Sequence, residues 1–173
     1  DLWLAFPDVK AVENYRRDLD VETATTRVSY TAGGVSYTRE VFASAPDDVI
    51  VVRLTASQQG KIAFYARLLS PQRVTTEATT DGDLVMRGRN GDGVGNTPDG
   101  EPMTGALRFE TRVRVLPTGG RRSSAGDRVT VRDADAVTLL ISAATSHRSF
   151  QDVGADPAER EAAALDPASK KTF

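Results

Sequence analysis

Close pairs of carboxylates are the side chains of this sequence that could do acid–base chemistry. Such pairs include Asp18 with Asp20, Asp47 with Asp48, and Asp81 with Asp83. Two carboxyl groups held near each other can act as general acid and general base in a hydrolysis. Each pair, however, falls in a predicted turn or on the polar face of a predicted strand, where Asp initiates and caps turns. We therefore expect turn-forming roles for these residues.

A segment rich in Gly, Asn, Asp and Pro, from Asn90 to Gly105, is predicted to be a long loop. Its residues Asn90, Asp92, Asn96 and Asp99 could line a binding cleft, because long loops in compact domains are often functional. The segment lacks the ligand spacing of a calcium loop, and no strand-to-helix pattern surrounds its glycines as in a phosphate loop. A surface loop without a ligand is the simpler interpretation, and the cleft-lining role is a hypothesis.

His147 and Trp3 are each the sole residue of their type, and the chain has no Cys. Disulfides, thiolate sites and multi-His metal sites are therefore excluded. His147 follows an apolar strand and precedes Arg148 and Phe150, which favours packing or a domain contact over catalysis. Trp3 could stack on a sugar, but it lies in the apolar segment LWLAF, where Trp normally fills a core. We expect Trp3 in the core, and no metal or cofactor site.

Composition and charge argue against two classes of partner. The 22 Lys and Arg residues are nearly balanced by 24 Asp and Glu, which leaves a net charge of −2 and no basic patch for nucleic acid. The longest uncharged run, residues 136–146, is far shorter than the roughly 20 apolar residues of a membrane-spanning helix. The first residues lack the basic segment of a signal peptide. We expect no nucleic-acid and no membrane partner.

Alternating apolar and polar residues predict a series of β-strands with turns every 8–12 residues or so. The predicted strands cover residues 2–6, 15–21, 23–32, 35–44, 49–55, 61–70, 74–79, 84–89, 107–115, 128–132 and 136–144. Gly33-Gly34 predicts a two-residue hairpin turn between two of them, because both central positions of such turns favour φ > 0.

Two strands carry a more specific prediction. Residues 49–55 form a nearly continuous apolar run, which predicts a central strand covered on both faces. Residues 107–115 alternate strictly, and the side chains of Arg108, Glu110, Arg112 and Arg114 all fall on one side. This pattern predicts a strand with one face in water.

One helix is predicted near the end of the chain. Asp156 is the expected N-cap, Pro157 takes the first helical position, and Glu159 stands at the third. We expect this helix to end at Leu165, because Pro167 breaks it. The fold class is therefore all-β, an antiparallel β-sandwich with a short C-terminal helix.

Six segments in series carry a family resemblance that spans nearly the whole chain. They are LWLAFP, YRRDLDVETA, VSYTAGGVSYTREVFASAPDDVIVVRL, ALRFETRVRVLPTGG, ADAVTLLISAATSHRSF and DPAEREAAAL. Together they resemble the amino-terminal β-sandwich domain, of super-sandwich type, of the bacterial α-L-fucosidases of glycoside hydrolase family 95.

The resemblance implies a domain division and a function for a larger parent protein. Residues 1–150 would form the β-sandwich domain, truncated at its start, and residues 151–173 a linker and helical segment. That segment would lead to a C-terminal (α/α)6-barrel catalytic domain that binds the carbohydrate and hydrolyses α-1,2-linked fucose with inversion. The parent would be extracellular, and its catalytic carboxylates would lie in the barrel. The resemblance thus implies a chain that is inactive alone and supports the barrel and its cleft.

Two other functions remain open at this point. The chain could be a stand-alone carbohydrate-binding module, or a structural or oligomerisation domain.

Overall fold

The computed structural model describes residues 1–94, 100 and 102–172. The elements within these ranges are fourteen strands and one helix. The strands are β1 (Leu2–Ala5), β2 (Glu13–Asp20), β3 (Thr25–Ala32), β4 (Val35–Ser44), β5 (Val49–Ala56), β6 (Ile62–Leu68), β7 (Val74–Ala78), β8 (Asp83–Arg89), β9 (Gly93–Val94), β10 (Pro102–Met103), β11 (Arg108–Thr118), β12 (Arg121–Ala125), β13 (Arg128–Ala134) and β14 (Ala136–Thr145). The helix, α1, spans Pro157–Ala168.

The strands form two antiparallel sheets that face each other. The large sheet has the order β2-β3-β4-β5-β14-β11-β8-β7, and the small sheet has the order β1-β6-β13-β12. The short strands β9 and β10 pair in a ribbon of their own. The predicted fold, an all-β antiparallel sandwich with a short C-terminal helix, is confirmed.

The core lies between the two inner faces and follows from the period-2 pattern. In β6, every second side chain is buried, from Ile62 to Leu68, because successive side chains of a strand point to opposite faces. The large sheet supplies the opposing wall through alternate apolar residues such as Leu54, Val113 and Leu139. These residues are buried between the inner faces of the two sheets.

The hairpin predicted at Gly33-Gly34 is confirmed. The two glycines have φ of +57° and +75°, and β3 and β4 pair in register from Ala32 with Val35 outward. Tyr30 and Tyr37 face each other across this hairpin, and their rings stack with centroids 5.1 Å apart.

Strand β5 is covered on both faces, as its apolar run predicts. Val52 and Leu54 belong to the core between the sheets. Val49 and Val51 point the other way, into a second apolar cluster that includes Leu165 of α1. Helix α1 therefore lies on the outer face of the large sheet and turns the sandwich locally into three layers.

The predicted wet face of β11 is wrong. Glu110 is only 4% exposed, and the side chains of Arg112 and Arg114 are about four-fifths covered. The cause is α1, which packs against β11 and β14 and roofs this face. Alternation indicates correctly that the two faces differ in polarity, but it does not say what covers the polar one.

The helix begins where the sequence predicts and ends later. Asp156 is the N-cap, and its Oδ1 accepts a hydrogen bond from the N–H of Ala158 at 2.9 Å. The helix continues through Pro167 to Ala168. A proline in the last turn forfeits one main-chain bond, whereas the burial of Leu165 and Ala168 against the sheet favours keeping the turn helical.

Trp3 is not in the core, contrary to expectation. Its side chain is 58% exposed, and Tyr15 on β2 is 60% exposed. Leu2 and Leu4 pack against the core instead, so the alternation of β1 sends Trp3 to the outer face of the small sheet.

Candidate functional site

The loop between β8 and β11 carries the residues that the sequence proposes for a cleft. Asn90 closes the base of this loop, because its Oδ1 accepts the N–H of Leu107 at 2.8 Å and its own N–H donates to the Leu107 carbonyl at 2.9 Å. Asp92 lies two residues further along the chain, and its Oδ1 accepts the N–H of Gly105 at 3.0 Å. Asn90 and Asp92 thus hold the two ends of the loop together.

The closure at this base is tight. A Cβ at position 105 would lie 2.0 Å from the carbonyl oxygen of Asn90, so only Gly fits there. Nη2 of Arg89 lies 3.5 Å from Oδ1 of Asp92. Asn96 and Asp99 lie outside the described residues. The cleft-lining role of the four residues therefore stays a prediction.

A polar groove runs beside the base of the loop. It encloses about 340 Å³ and is lined by residues 71–73 and 89–92. Arg73 and Arg89 place two guanidinium groups at this groove, with Asn90 and Asp92 as further hydrogen-bonding groups. Such a lining suits a hydroxyl-rich ligand or chain segment, since it offers donors and acceptors in one place.

A second polar cluster lies beneath α1 and contains two buried carboxyl groups. Glu110 accepts hydrogen bonds from Nε of Arg87 at 2.7 Å and from Nη2 of Arg112 at 2.9 Å. Glu161 of α1 faces the same place, and its Oε2 lies 3.6 Å from Nε of Arg112. Among the described residues, neither oxygen of Glu161 has a hydrogen-bond partner.

The environment of Glu161 favours its neutral form. Burial, followed by the negative charge of Glu110, raises the pKa of Glu161 from 4.5 to about 8, against the opposing effect of Arg112. A carboxyl group in an enclosed site beside a like charge keeps its proton in this way. At neutral pH Glu161 therefore keeps its proton.

An acid–base pair of this kind resembles the machinery of a hydrolase, but its surroundings exclude that use in the docked structure. Glu161 is fully buried and Glu110 is 4% exposed, so no substrate can lie between them. Glu161 recurs in register with Pro157 and Leu165 on the buried stripe of the helix. That four-residue spacing is the sequence signal that could have placed Glu161 against the sheet.

The acidic pairs named in the sequence analysis have separate roles in the structure. Asp20 accepts the main-chain N–H groups of Glu22 and Thr23, which lower its pKa, and thus closes a turn as predicted. Asp47 forms an ion pair with Lys171. Asp83 is buried and lies 3.4 Å from Nε of Arg114, so it belongs to the cluster beneath α1.

His147 has an exposed imidazole, and its main-chain oxygen accepts a hydrogen bond from Nη1 of Arg160 at 2.9 Å. The described part of the chain contains no group of three or more His, Cys, Asp or Glu side chains that could hold a metal ion. Within the same ranges, no helix is long and apolar enough to cross a membrane.

A family model described as "Glycosyl hydrolase family 65, N-terminal domain" matches residues 1–149. The chain belongs to this family. The expected kind of domain, an N-terminal β-sandwich domain of a glycoside hydrolase, is thereby confirmed, under the name of family 65.

Two relatives of this family 65-type N-terminal domain carry the names of fucosidases. The chain is 32% identical over 147 residues to "Alpha-L-fucosidase 2" of Arabidopsis thaliana, a match that covers 77% of the chain and 17% of that protein. It is 27% identical over 170 residues to "Probable alpha-fucosidase A" of Aspergillus oryzae, which covers 92% of the chain and 22% of that protein. The chain thus spans about a fifth of the length of these relatives.

A solved structure shares the fold. The "Putative kojibiose phosphorylase from human microbiome" matches 99% of the chain and 25% of its own length, with a TM-score of 0.55 and 10% sequence identity. At this identity the likeness concerns the fold alone. The family 65-type sandwich therefore recurs in a protein named for a different reaction, in keeping with the rule that a fold does not fix a function.

Proposed function

We propose that this chain is the non-catalytic N-terminal domain of a glycoside hydrolase that resembles α-L-fucosidases, and that it supports the catalytic domain and its cleft. The observation that carries the proposal is the burial of the carboxyl pair. Glu110 and Glu161 are buried beneath α1. Catalytic carboxyl groups of glycosidases must instead flank the sugar.

The parent reaction in this proposal is the inverting hydrolysis of α-1,2-linked fucose. Support comes from the two relatives named as fucosidases, of which the chain spans only 17% and 22%. In this proposal residues 1–150 are the supporting domain, residues 151–173 are the linker, and a C-terminal helical barrel binds the carbohydrate and carries the catalytic groups.

Hydrolysis assays on the isolated chain and on the full-length parent test this proposal. With 2′-fucosyllactose as substrate, we expect turnover by the parent and none by the 173-residue chain at any pH between 4 and 9. Turnover by the chain alone would refute the non-catalytic role. Turnover of an α-galactoside but not of the fucoside by the parent would refute the proposed substrate and leave the role of the domain intact.

The loop at residues 90–105 is the part of the domain that we propose to lean over the parent's cleft. The base of this loop is closed, since Asn90 and Asp92 accept the N–H groups of Leu107 and Gly105. Deletion of residues 91–100 in the parent should then raise KM for the fucoside. A matched deletion at the exposed turn of residues 57–59 should not, and unchanged kinetics in both would contradict the role of the loop.

Sugar binding by the domain itself is a second candidate function, and the exposure of Trp3 favours it. Trp3 pairs across the sheet with Arg67 on the same outer face, and Nε and Nη2 of Arg67 both donate to Oδ2 of Asp127. An exposed aromatic ring beside fixed polar groups can stack on a pyranose ring and hydrogen-bond its hydroxyl groups.

The single Trp makes this second function easy to test. Titration with fucose and 2′-fucosyllactose should change the fluorescence of Trp3, and calorimetry should show that Trp3→Ala abolishes binding. Tyr15→Ala, which removes an equally exposed ring from the large sheet, should bind as the wild type does. Equal binding by both variants would exclude Trp3 as the contact.

A further inference from the structure

Helix α1 lies on the outer face of the large sheet through a stripe of four buried residues, Pro157, Glu161, Leu165 and Ala168. The apolar end of this stripe packs into the cluster of β5 and β14. Of the other two members, Pro157 and Glu161, only Glu161 is ionisable. The docking of the helix therefore depends on the charge of one side chain.

Few charged groups face Glu161 from the elements that α1 contacts, which are β14, β11 and β5. Strand β14 carries no ionisable side chain at all. Strand β5 carries only Arg53, whose Nη1 donates to Oγ1 of Thr138 at 2.6 Å. Strand β11 carries Arg108, Glu110, Arg112 and Arg114 on this face. Arg108 donates to the main-chain oxygen of Ala155 at 3.2 Å, and Glu110 and Arg112 are the groups whose charges act on Glu161.

The remaining charges around the cluster are already engaged elsewhere. Arg87 of β8 bonds both Glu110 and Glu77 of β7. Arg114 of β11 is shared between Asp83 and Asp166. On the helix itself, Arg160 donates to the main-chain oxygens of Thr145 and His147 and so points away from the cluster.

The guanidinium of Arg112 faces three carboxyl groups at once. Its Nη2 lies 2.9 Å from Glu110, its Nε 3.6 Å from Glu161, and its Nη1 3.7 Å from Asp83. Glu110 and Asp83 each have a second arginine partner, Arg87 and Arg114 respectively. Within the described ranges, Glu161 has only the longer contact to Arg112, and it is the fully buried member.

We propose that Glu161 is the proton-binding group of a latch: it is protonated while α1 is docked, and loss of that proton releases the helix from the sheet. In the docked state the carboxyl group of Glu161 is neutral, although it lies among other carboxyl groups beneath the helix. A second ionised carboxylate beside Glu110, buried and without a hydrogen-bond partner in the described part of the chain, is unfavourable. Undocking relieves it by carrying Glu161 into solvent.

The direction of the pH dependence follows from the raised pKa of Glu161. In the undocked helix Glu161 ionises near its ordinary 4.5, and in the docked helix near 8. Between these values the docked state binds more protons, so docking weakens as pH rises, by up to about tenfold per pH unit. It is strongest below pH 4.5 and weakest above pH 8.

Hydrogen exchange on the 173-residue chain tests the latch. We expect the protection of the amides in residues 157–168, corrected for intrinsic exchange, to fall at least about tenfold between pH 6 and pH 9. Amides of β6 and β13 in the small sheet serve as the internal reference. Trypsin cleavage after Arg160, measured relative to cleavage of a short peptide substrate at the same pH, should accelerate over the same range.

Two variants separate the latch from a general loss of stability. Glu161→Gln keeps the shape of the protonated side chain and should make helix protection the same at pH 6 and pH 9. Glu159→Gln removes an exposed carboxylate from the same helix and should keep the wild-type dependence. Helix protection that is constant with pH in the wild type, or an unchanged dependence in Glu161→Gln, would overturn the proposal. If Glu161→Gln fails to fold, a titration of the Glu161 carboxyl carbon by NMR decides, and a midpoint below pH 5.5 refutes the latch.

Discussion

Nε of Arg87 donates to Oε2 of Glu110 at 2.7 Å, and this bond joins β8 to β11 on the face that α1 covers. The same arginine reaches Glu77 on its solvent side. The guanidinium of Arg87 thus links the exposed carboxylate of Glu77 to the buried carboxylate of Glu110. The two ion pairs contribute unequally to stability. Burial makes the Glu110 link the costly one to break, because the pair loses less of its energy to water.

Replacement of Glu110 should measure this inequality. Glu110→Ala leaves Arg87 and Arg112 without their buried acceptor, and we expect it to lower the free energy of unfolding by about 2 to 3 kcal/mol. Glu77→Ala should cost less than about 1 kcal/mol, since that pair lies in solvent. Urea denaturation of the two variants provides the comparison, and equal losses would show that burial does not distinguish the two bonds.

The N-cap of α1 gives a second prediction. Asp156→Ala removes the acceptor of the Ala158 N–H and should weaken the helix by about 1 kcal/mol. Asp156→Ser supplies another capping oxygen and should restore most of the loss. Amide protection in residues 157–168 is the appropriate measurement, and identical protection in both variants would contradict a capping role.

The Gly33-Gly34 turn gives a third. Gly34 has φ of +75°, so Gly34→Ala should destabilise the chain by about 1 to 2 kcal/mol through backbone strain alone. A Cβ at Gly34 meets no atom within 4 Å, and neither does a Cβ at Gly91. Gly91→Ala is therefore the control that adds a methyl group without strain, and its melting temperature should match the wild type.

A close approach between β8 and β11 gives a fourth. A Cβ at Gly88 would lie 2.4 Å from Cζ of Phe109, its cross-strand partner. Gly88→Ala should cost about 1 to 3 kcal/mol by overpacking. In the background of Phe109→Leu the same substitution should cost much less, and thermal unfolding of the double-mutant cycle measures the difference. Additive losses would mean that the Phe109 ring is not the cause of the loss in Gly88→Ala.

The pH dependence of global stability gives a fifth. Because the pKa of Glu161 is raised to about 8 in the folded chain, the unfolded chain binds fewer protons between pH 4.5 and 8, and stability falls across that window. Glu161→Gln removes this loss, so it should exceed the wild type by a few kcal/mol at pH 9 and by little at pH 5. Urea denaturation at the two pH values checks it, and a variant less stable than the wild type at pH 9 would contradict the assigned protonation.

Much of the fold could be predicted from local patterns, because those patterns report directly on a strand and its neighbour. The Gly33-Gly34 hairpin depends on residues within a few positions of each other, and the apolar run of β5 indicates by its composition alone that both faces are covered. Both predictions are confirmed. The wet face assigned to Arg112 failed for the opposite reason. Its cover, α1, lies some 45 residues further along the chain, and alternation carries no information about such a partner.

The same contrast between local patterns and distant partners applies to the candidate site. Asn90 and Asp92 occur in a loop, as predicted, but their hydrogen bonds to Leu107 and Gly105 depend on how β11 returns to β8. Trp3 was misplaced because LWLAF is apolar at nearly every position, so its pattern does not reveal which residues face inward. Glu161 went unnoticed because a single acidic residue within a helix is ordinary until the sheet beneath it is known.

The order of the large sheet has a consequence for how the chain is made. Strands β2 to β5 follow one another directly, but the partner on the far side of β5 is β14, which begins about 80 residues after β5 ends. At a synthesis rate of about 5 to 20 residues per second, β14 is made roughly 4 to 16 seconds after β5. During this interval the nascent chain exposes the apolar edge of a half-built sheet. The large sheet is complete only when β14 inserts between β5 and β11. We therefore expect the nascent chain to be most prone to aggregation in the interval before β14 is made.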